Sequence, residues 1–493
     1  MNIQPMKPLH LSMVHTATSP AAVGGSRSPA RQHRPLLCAT ALATAVLLGG
    51  CAGLLPAGPS APAEPASPTA WMADGGSTPS EGLNATWARQ ADPELQALLQ
   101  QAEAANRDIA QAALRLAQAG TQAGLGALRL TPSASLGAGA SRPLDPPDPL
   151  PARTTRSTSA SLGVGYELDL WGRLAALRAA DAAQVRAAQT DVQAARLLLR
   201  QRVADAYWQL AAARQQGELA QQQLVLNREL LAATRLRVQE GKLLPIEVDR
   251  AAATLQQAEV RLADLQADVA QQRLQLALLL DQPAPGPQVQ RPQLPPLQAD
   301  GLPPGWRVEG TPAEVLARRP DVQRARAQVD AALARARATQ AQRYPTLSFS
   351  ASLSSGGGAG EWLNNPLAAL AGNLVVPLID WRRLDLQGAA AQTELDLAAL
   401  ALRDTVARAL VEVETARLDD TRLRQQLQAN TTRLQEAQAA EKLAALRLSV
   451  GAIARADFLQ AQNARLEAEQ GRLQLQLRLW LNRGQLARAL ALG

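Results

Sequence analysis

The sequence predicts a membrane protein of mixed α and β structure, built from two similar halves. Three observations support this fold class. Four short segments alternate apolar with small or polar residues, and two very long segments have helical periodicity. In addition, one set of residues recurs 210 positions later: Trp171, Arg173 and Leu174 return as Trp381, Arg383 and Leu384. Each half is therefore expected to contribute two strands followed by two long helices.

The composition argues against an enzyme. The chain has 493 residues, but its three histidines all precede residue 50, and Cys38 and Cys51 are its two cysteines. We expect no metal site, no cofactor and no catalytic residue, because neither ligand spacing nor a nucleophile–histidine arrangement can be assembled. The net charge is +7, but the arginines are interleaved with acids along the helices. That pattern is typical of solvated helix faces rather than of a nucleic-acid surface.

The N-terminus predicts a secreted lipoprotein. Residues 34–53 have a basic lead and an apolar run too short to span a membrane, so 1–50 are interpreted as a signal peptide that starts at Met1 or Met13. Leu48 to Cys51 resembles a bacterial lipobox, which predicts palmitate and other acyl chains on Cys51. The alternative is a free or buried thiol, or one lost with the signal. Residues 51–85 are expected to form a flexible or extended tether.

Four segments alternate with period two and predict strands. They are 133–141, 158–170, 346–354 and the more mixed 371–380. Lengths of about ten residues with one apolar face suit the wall of a transmembrane β-barrel. A soluble sandwich is the alternative, but the chain offers no further strands to complete one. Four strands cannot close a barrel, so several chains must do so together, and a polar interior favours three chains over two.

Each strand pair is followed by a long helical segment, 172–281 or 382–490. We interpret each as a hairpin of two helices with about 45–60 residues per arm, roughly 70–90 Å long. The reversals are expected near Gly217–Glu218 and near 414–424. Gly241 and Gly451, again 210 positions apart, predict helix interruptions. The first repeat then spans 86–281 and the second 311–490, joined by a Pro-rich linker at 282–310.

Four motifs together resemble the outer-membrane efflux family typified by TolC and OprM, in its lipoprotein branch, the outer-membrane factors of RND efflux systems. They are YELDLWGRL (166–174), LARRPDVQRARAQV (316–329), QRYPTLSFSAS (342–352) and PLIDWRRL (377–384). Two motifs depart from the family. The helix of the motif at 316–329 starts with Gly-Thr-Pro-Ala at 310–313, and the motif at 377–384 has Arg382 where the family usually has glycine. The resemblance covers roughly residues 85–490.

The resemblance implies a homotrimer in the bacterial outer membrane, with four strands per chain forming a 12-stranded barrel that a periplasmic helical barrel continues. It also implies a passive exit duct, fed by an inner-membrane RND-type pump through a periplasmic adaptor. The protein would also contact outer-membrane lipid, and it would not bind nucleic acid. A lipid-anchored coiled-coil scaffold or adaptor and the outer-membrane channel of a type I secretion system are the alternatives.

The same resemblance implies that the hairpin tips close the tunnel. Asp419 and Asp420 would then form a ring of carboxylates at a narrow mouth, with Arg417, Arg422 and Glu218 as further gate residues. The alternative is that they are ordinary polar residues at a helix turn. For Trp171 and Trp381, at the strand-to-helix junctions, the sequence leaves two interpretations open. They belong either to an interfacial aromatic belt or to the packing between strands and helices.

Overall fold

The computed structural model describes residues 58–63, 65–72, 93–141, 157–283, 311–357, 366–377 and 380–492. The predicted signal peptide, Cys51 and most of the Pro-rich linker lie outside these residues. In chain order the elements are α1 (Pro93–Ala105), α2 (Arg107–Ala127), a short 3-10 turn (Leu128–Leu130), β1 (Ser133–Ser141), β2 (Ser157–Leu168), α3 (Arg173–Gln239), α4 (Ile246–Leu279), α5 (Pro312–Arg318), α6 (Pro320–Ala341), β3 (Thr346–Gly357), β4 (Pro366–Val375), α7 (Trp381–Ser449) and α8 (Arg455–Ala489).

The four strands form one antiparallel sheet in the order β1-β2-β3-β4. The prediction for β1 is confirmed, but β4 runs Pro366–Val375 instead of 371–380. Its position is set by pairing with β3, which joins Thr346 to Val375 and Ser355 to Pro366. Small and apolar residues occupy both faces of β4, so period two alone could not place its ends.

The long helices form two hairpins with unequal arms. α3 and α7 have 67 and 69 residues, whereas α4 and α8 have 34 and 35. At 1.5 Å per residue the long arms span about 100 Å, more than the sequence predicted. The predicted reversals near Gly217–Glu218 and near 414–424 are wrong, because α3 and α7 run unbroken through both. A glycine costs a helix interior only about 1 kcal/mol, which the continuing hydrogen bonds of α3 outweigh.

The actual reversals lie at the two predicted interruptions. Gly241 and Gly451 have φ of +71° and +73°, the left-handed region that glycine adopts at least cost. In both turns two backbone N–H groups return to carbonyls of the last helical turn, which is the Schellman arrangement: Lys242 donates to Arg237 and Ala452 to Arg447, each at 2.8 Å. The turns thus repeat in geometry as well as in sequence.

The C-terminal ends of the short helices α4 and α8 also match each other in backbone conformation. α4 and α8 both end in left-handed residues that are not glycine, Asp281 and Ala491, each with φ of 54° and again 210 positions apart. A helix pair also precedes each pair of strands, α1–α2 before β1 and α5–α6 before β3. The strand–strand–helix–helix plan omitted these pairs, but the duplication itself is confirmed.

Apolar contact is concentrated where the short helices meet the long ones. One cluster joins α1, α3 and α4 around Tyr207 and Trp208, both buried. A second joins α5, α7 and α8 around Val413 and Leu486. Within the described ranges, no helix combines the length and the apolarity required to cross a lipid bilayer.

Part of the predicted tether packs against this second cluster. Prolines stand at every third position, Pro59, Pro62, Pro65 and Pro68, which suits a polyproline II helix with three residues per turn. The first three are half-buried, whereas the described residues between them are exposed. We call the described residues 58–63 and 65–72 the proline strap. Near its C-terminal end, Trp71 is 6% exposed and inserts among the side chains of α5, α7 and α8.

Candidate functional site

The sheet has two chemically different faces. On one face Leu162 and Leu353 lie opposite each other, and Val164 lies opposite Ala351. On the other face the register places glycine against serine, as in Gly163 and Ser135. All of β1 is exposed, and the outer edges of β1 and β4 have no partner strand among the described residues. One chain therefore presents an open sheet whose apolar face and two edges remain unsatisfied.

The first strand-to-helix junction is held by Trp171. Its indole Nε1 donates to the carbonyl oxygen of Pro345 at 2.7 Å, and its ring stacks on Tyr344 with centroids 4.9 Å apart. These contacts join the end of β2 to the start of β3, in the other repeat. They support the packing interpretation of Trp171.

The turn into α3 is built from residues of the DLWGR motif. The Asp169 carboxylate accepts hydrogen bonds from the backbone N–H groups of Leu174 and Ala175, which caps the helix. Gly172, the residue before α3, has φ of +70°, the left-handed region that glycine adopts at least cost. Arg173, the first helical residue, then reaches back to Glu167 on β2, and its Nη2 donates to both carboxylate oxygens at 2.6 and 2.8 Å.

The second junction is more open. Trp381 begins α7 and is 49% exposed. Arg383 pairs with Asp380 one turn away at 2.6 Å, and both side chains are more than half exposed. The two junctions are thus similar in sequence and in position within their repeats. Among the described residues, the junction contacts that reach the other repeat are those of Trp171 at the first junction.

The gate candidates lie far from the hairpin turns. Asp419 and Asp420 fall near the middle of α7, roughly 60 Å along the helix from its start at the sheet. Asp420 and Arg417 are each 7% exposed within a single chain, and Arg424 donates to Asp420 at 2.6 Å. Asp419 pairs with Arg422 on the surface.

The predicted position of these residues at a hairpin tip is therefore wrong, because they lie in the interiors of α3 and α7. Glu218 is likewise an exposed residue in the interior of α3. The neighbouring α8 explains the burial near Asp420, since Asn482 donates to the Ala416 carbonyl at 2.8 Å. A tip formed by the chain reversal must instead involve residues around Gly241 and Gly451.

A buried arginine that sequence reasoning did not select binds the end of the second repeat. Arg319, 5% exposed, donates to the Ala489 carbonyl at 2.7 Å, to Glu412 at 2.7 Å and to both oxygens of Asp321. Burial disfavours charge on Asp321, but the hydrogen bonds and charge of Arg319 outweigh it and lower the pKa of Asp321. The Arg-Arg-Pro-Asp motif was the available signal, and its role is to join α6, α7 and α8.

A half-buried acid was also missed. Asp205 lies on α3 in an apolar run, where burial raises its pKa to about 6 against the opposing effects of Gln201 and Arg488. Gly484 of α8 packs so closely that an added Cβ would lie 3.0 Å from the Asp205 carboxylate. Nearby, burial and the charge of Arg424 lower the pKa of Arg483 to about 10. No group of histidine, cysteine or acidic residues suited to a metal occurs among the described residues.

Known proteins are similar to this chain in sequence and in fold. Residues 98–282 and 311–492 match the outer membrane efflux protein family. A pyoverdine export outer membrane protein, OpmQ of Pseudomonas aeruginosa, is 32% identical over 356 residues, covering 70% of this chain and 73% of its own. The toluene efflux pump outer membrane protein TtgC of Pseudomonas putida is 29% identical, covering 66% and 69%.

Solved structures agree with the fold described above. The open-state MtrE outer membrane channel of Neisseria gonorrhoeae superposes with a TM-score of 0.78 at 24% identity, covering 89% of this chain and 98% of its own. A CusC structure superposes with a TM-score of 0.76 at 22% identity, covering 88% and 99%. The four-stranded sheet continued by long helices is therefore the fold of these channels.

Proposed function

Because the chain belongs to the outer membrane efflux protein family, we propose that three copies of it form the exit duct of a tripartite efflux system. The protein is an efflux channel of the outer membrane with a large periplasmic part, and its family consists of channels rather than enzymes.

The open sheet carries the proposal of a trimer. Its apolar face is exposed, and its two edges have no partner strand in the described part of the chain. Lipid does not tolerate this state, because backbone N–H and C=O groups find no partners there. Three copies would supply twelve strands, enough for a barrel with an open interior. The apolar face would contact lipid, and the serine–glycine face would line the lumen.

The long helices then extend the lumen into the periplasm. α3 and α7 each start at a strand-to-helix junction and run about 100 Å before they reverse. The turns at Gly241 and Gly451 would form the periplasmic end, where the duct is closed at rest and where a periplasmic adaptor and an inner-membrane RND-type pump engage it. Energy would come from the pump.

We propose in addition that Cys51 is lipidated and holds the N-terminus in the outer membrane. Support comes from the signal-like sequence before it and the proline strap after it. Labelling cells with a radioactive or clickable palmitate tests this. Label is expected in the wild type and lost in Cys51→Ala, and label in both proteins would overturn the assignment.

Conductance separates this function from its alternatives. Purified protein is expected to migrate as a trimer that dissociates on heating, and to conduct ions in a planar bilayer. A lipid-anchored scaffold would do neither. A strain that lacks the chain is expected to accumulate small toxic compounds and to secrete proteins normally. Loss of protein secretion instead would favour a type I secretion channel.

A further inference from the structure

The four strands carry one charged residue, Glu167 on β2. It alternates with Tyr166 and Leu168, and therefore lies on the same face as Ser161, Gly163 and Gly165. The pairing places it beside Ser348 of β3, which itself lies beside Asn373 of β4. Glu167 is thus one carboxylate at the helix end of a sheet face that is otherwise formed by uncharged side chains, most of them small.

Arg173 neutralises this carboxylate through a geometry that the junction imposes. Its Nη2 binds both oxygens of Glu167, and the two side chains are 24% and 32% exposed, so the pair is half-buried and still open to solvent. The left-handed Gly172 turns the chain so that the first residue of α3 points back to β2. Asp169 is bound to the helix N-terminus and is not a competing partner.

We propose that Arg173 determines the ion selectivity of the channel by cancelling the one charge on the lumen face of the sheet. This rests on the proposed function, which places that face inside the barrel. Three Glu167–Arg173 pairs then surround the passage where the barrel meets the helices. The duct passes anionic, cationic and uncharged small molecules alike at this level, and sorting by charge falls to other parts of the system.

The two single variants have opposite predicted effects, which a merely structural ion pair would not give. Arg173→Gln leaves three uncompensated carboxylates and makes the channel cation-selective. Glu167→Gln leaves three guanidinium groups and makes it anion-selective. One unpaired charge about 5 Å from an ion's path in water changes the local ion concentration about fourfold, so a several-fold change in the cation-to-anion permeability ratio is expected.

The experiment measures reversal potentials of the purified full-length protein in planar bilayers under asymmetric KCl. The double variant, with both residues changed to glutamine, is expected to return to the wild-type ratio, and Arg173→Lys to keep it. Arg383→Gln is the matched control, since it removes the same charge at the second junction, where the acid Asp380 lies outside the strands. Arg383→Gln is expected to shift the cation-to-anion permeability ratio less than Arg173→Gln does.

The outcomes separate the inference from the proposed function. If the wild type does not conduct, the channel function itself is overturned. If the wild type conducts but the two single variants shift the ratio in the same direction or not at all, only the role of Arg173 is overturned. Should Arg173→Gln fail to form trimers, Glu167→Gln decides alone, because an unchanged ratio in that variant contradicts the proposal.

Discussion

Replacing Trp71 by alanine is expected to detach the proline strap from the helices. The strap is fixed at both ends: Arg337 donates to the Pro59 carbonyl at 3.4 Å, and the Met72 N–H donates to Glu414 at 2.7 Å. Between these contacts Trp71 is the large buried side chain, 6% exposed in the cluster formed by α5, α7 and α8. Its loss removes the main apolar contact that holds the strap in place.

The magnitude follows from the burial of the indole. Removing a buried tryptophan side chain costs about 3–5 kcal/mol, and about 1.4 kcal/mol is one factor of ten in an equilibrium constant. Strap opening should therefore become roughly two to nearly four orders of magnitude more favourable. Met72→Ala is the matched control, because Met72 is 94% exposed and its contact is made by the backbone.

Amide hydrogen exchange at residue 72 measures the effect, because this N–H donates to Glu414. Trp71→Ala is expected to accelerate exchange of that amide, and Met72→Ala to leave it unchanged. The three-residue spacing of the prolines offers a second test. Deleting residues 60–62 keeps the remaining prolines at every third position. Deleting Ala66 instead rotates the prolines before it by one third of a turn relative to Pro68 and Trp71. Only the second deletion should release the strap. Equal exchange in wild type and Trp71→Ala would refute the reasoning.

Three further predictions follow from single residues. Gly451→Ala should destabilise the protein by about 1–2 kcal/mol in thermal unfolding, because residue 451 has a positive φ. Gly217→Ala should stabilise it by about 1 kcal/mol, because residue 217 lies in the interior of α3. Equal effects of the two variants would contradict the assignment of the turns. Arg319→Ala should cost about 1.5–3 kcal/mol in urea unfolding, because the partly exposed Asp321 and Glu412 and the Ala489 carbonyl lose their hydrogen bonds to a buried guanidinium. Arg324→Ala should cost less than about 1 kcal/mol, because its pair with an acid is half exposed. Burial raises the pKa of Asp205 from 3.8 to about 6, so its stabilising contribution is complete below its ordinary pKa and is lost as pH rises through about 6. Asp205→Asn should therefore gain stability over wild type near pH 7.5 and not near pH 3, and a constant difference would refute this.

The sequence by itself determined features that depend on neighbours along the chain. Alternation in 133–141 predicted β1, because side chains on a strand point to opposite faces whatever lies beyond it. Gly241 and Gly451 predicted interruptions, because a left-handed residue is a local backbone requirement. The 210-residue offset predicted that both features occur twice.

Tertiary structure decided what depends on partners distant in the chain. Gly217 is compatible with a helix or a turn, and only the packing of α3 along its whole length chose the helix. Asp420 and Arg417 have the composition of a solvated turn, but α8 covers them. The strap shows the same dependence, since its proline period is visible in the sequence whereas the pocket for Trp71 is made by helices more than 200 residues away. Local conformation is fixed by adjacent residues, whereas burial is fixed by whichever surface the fold brings into contact.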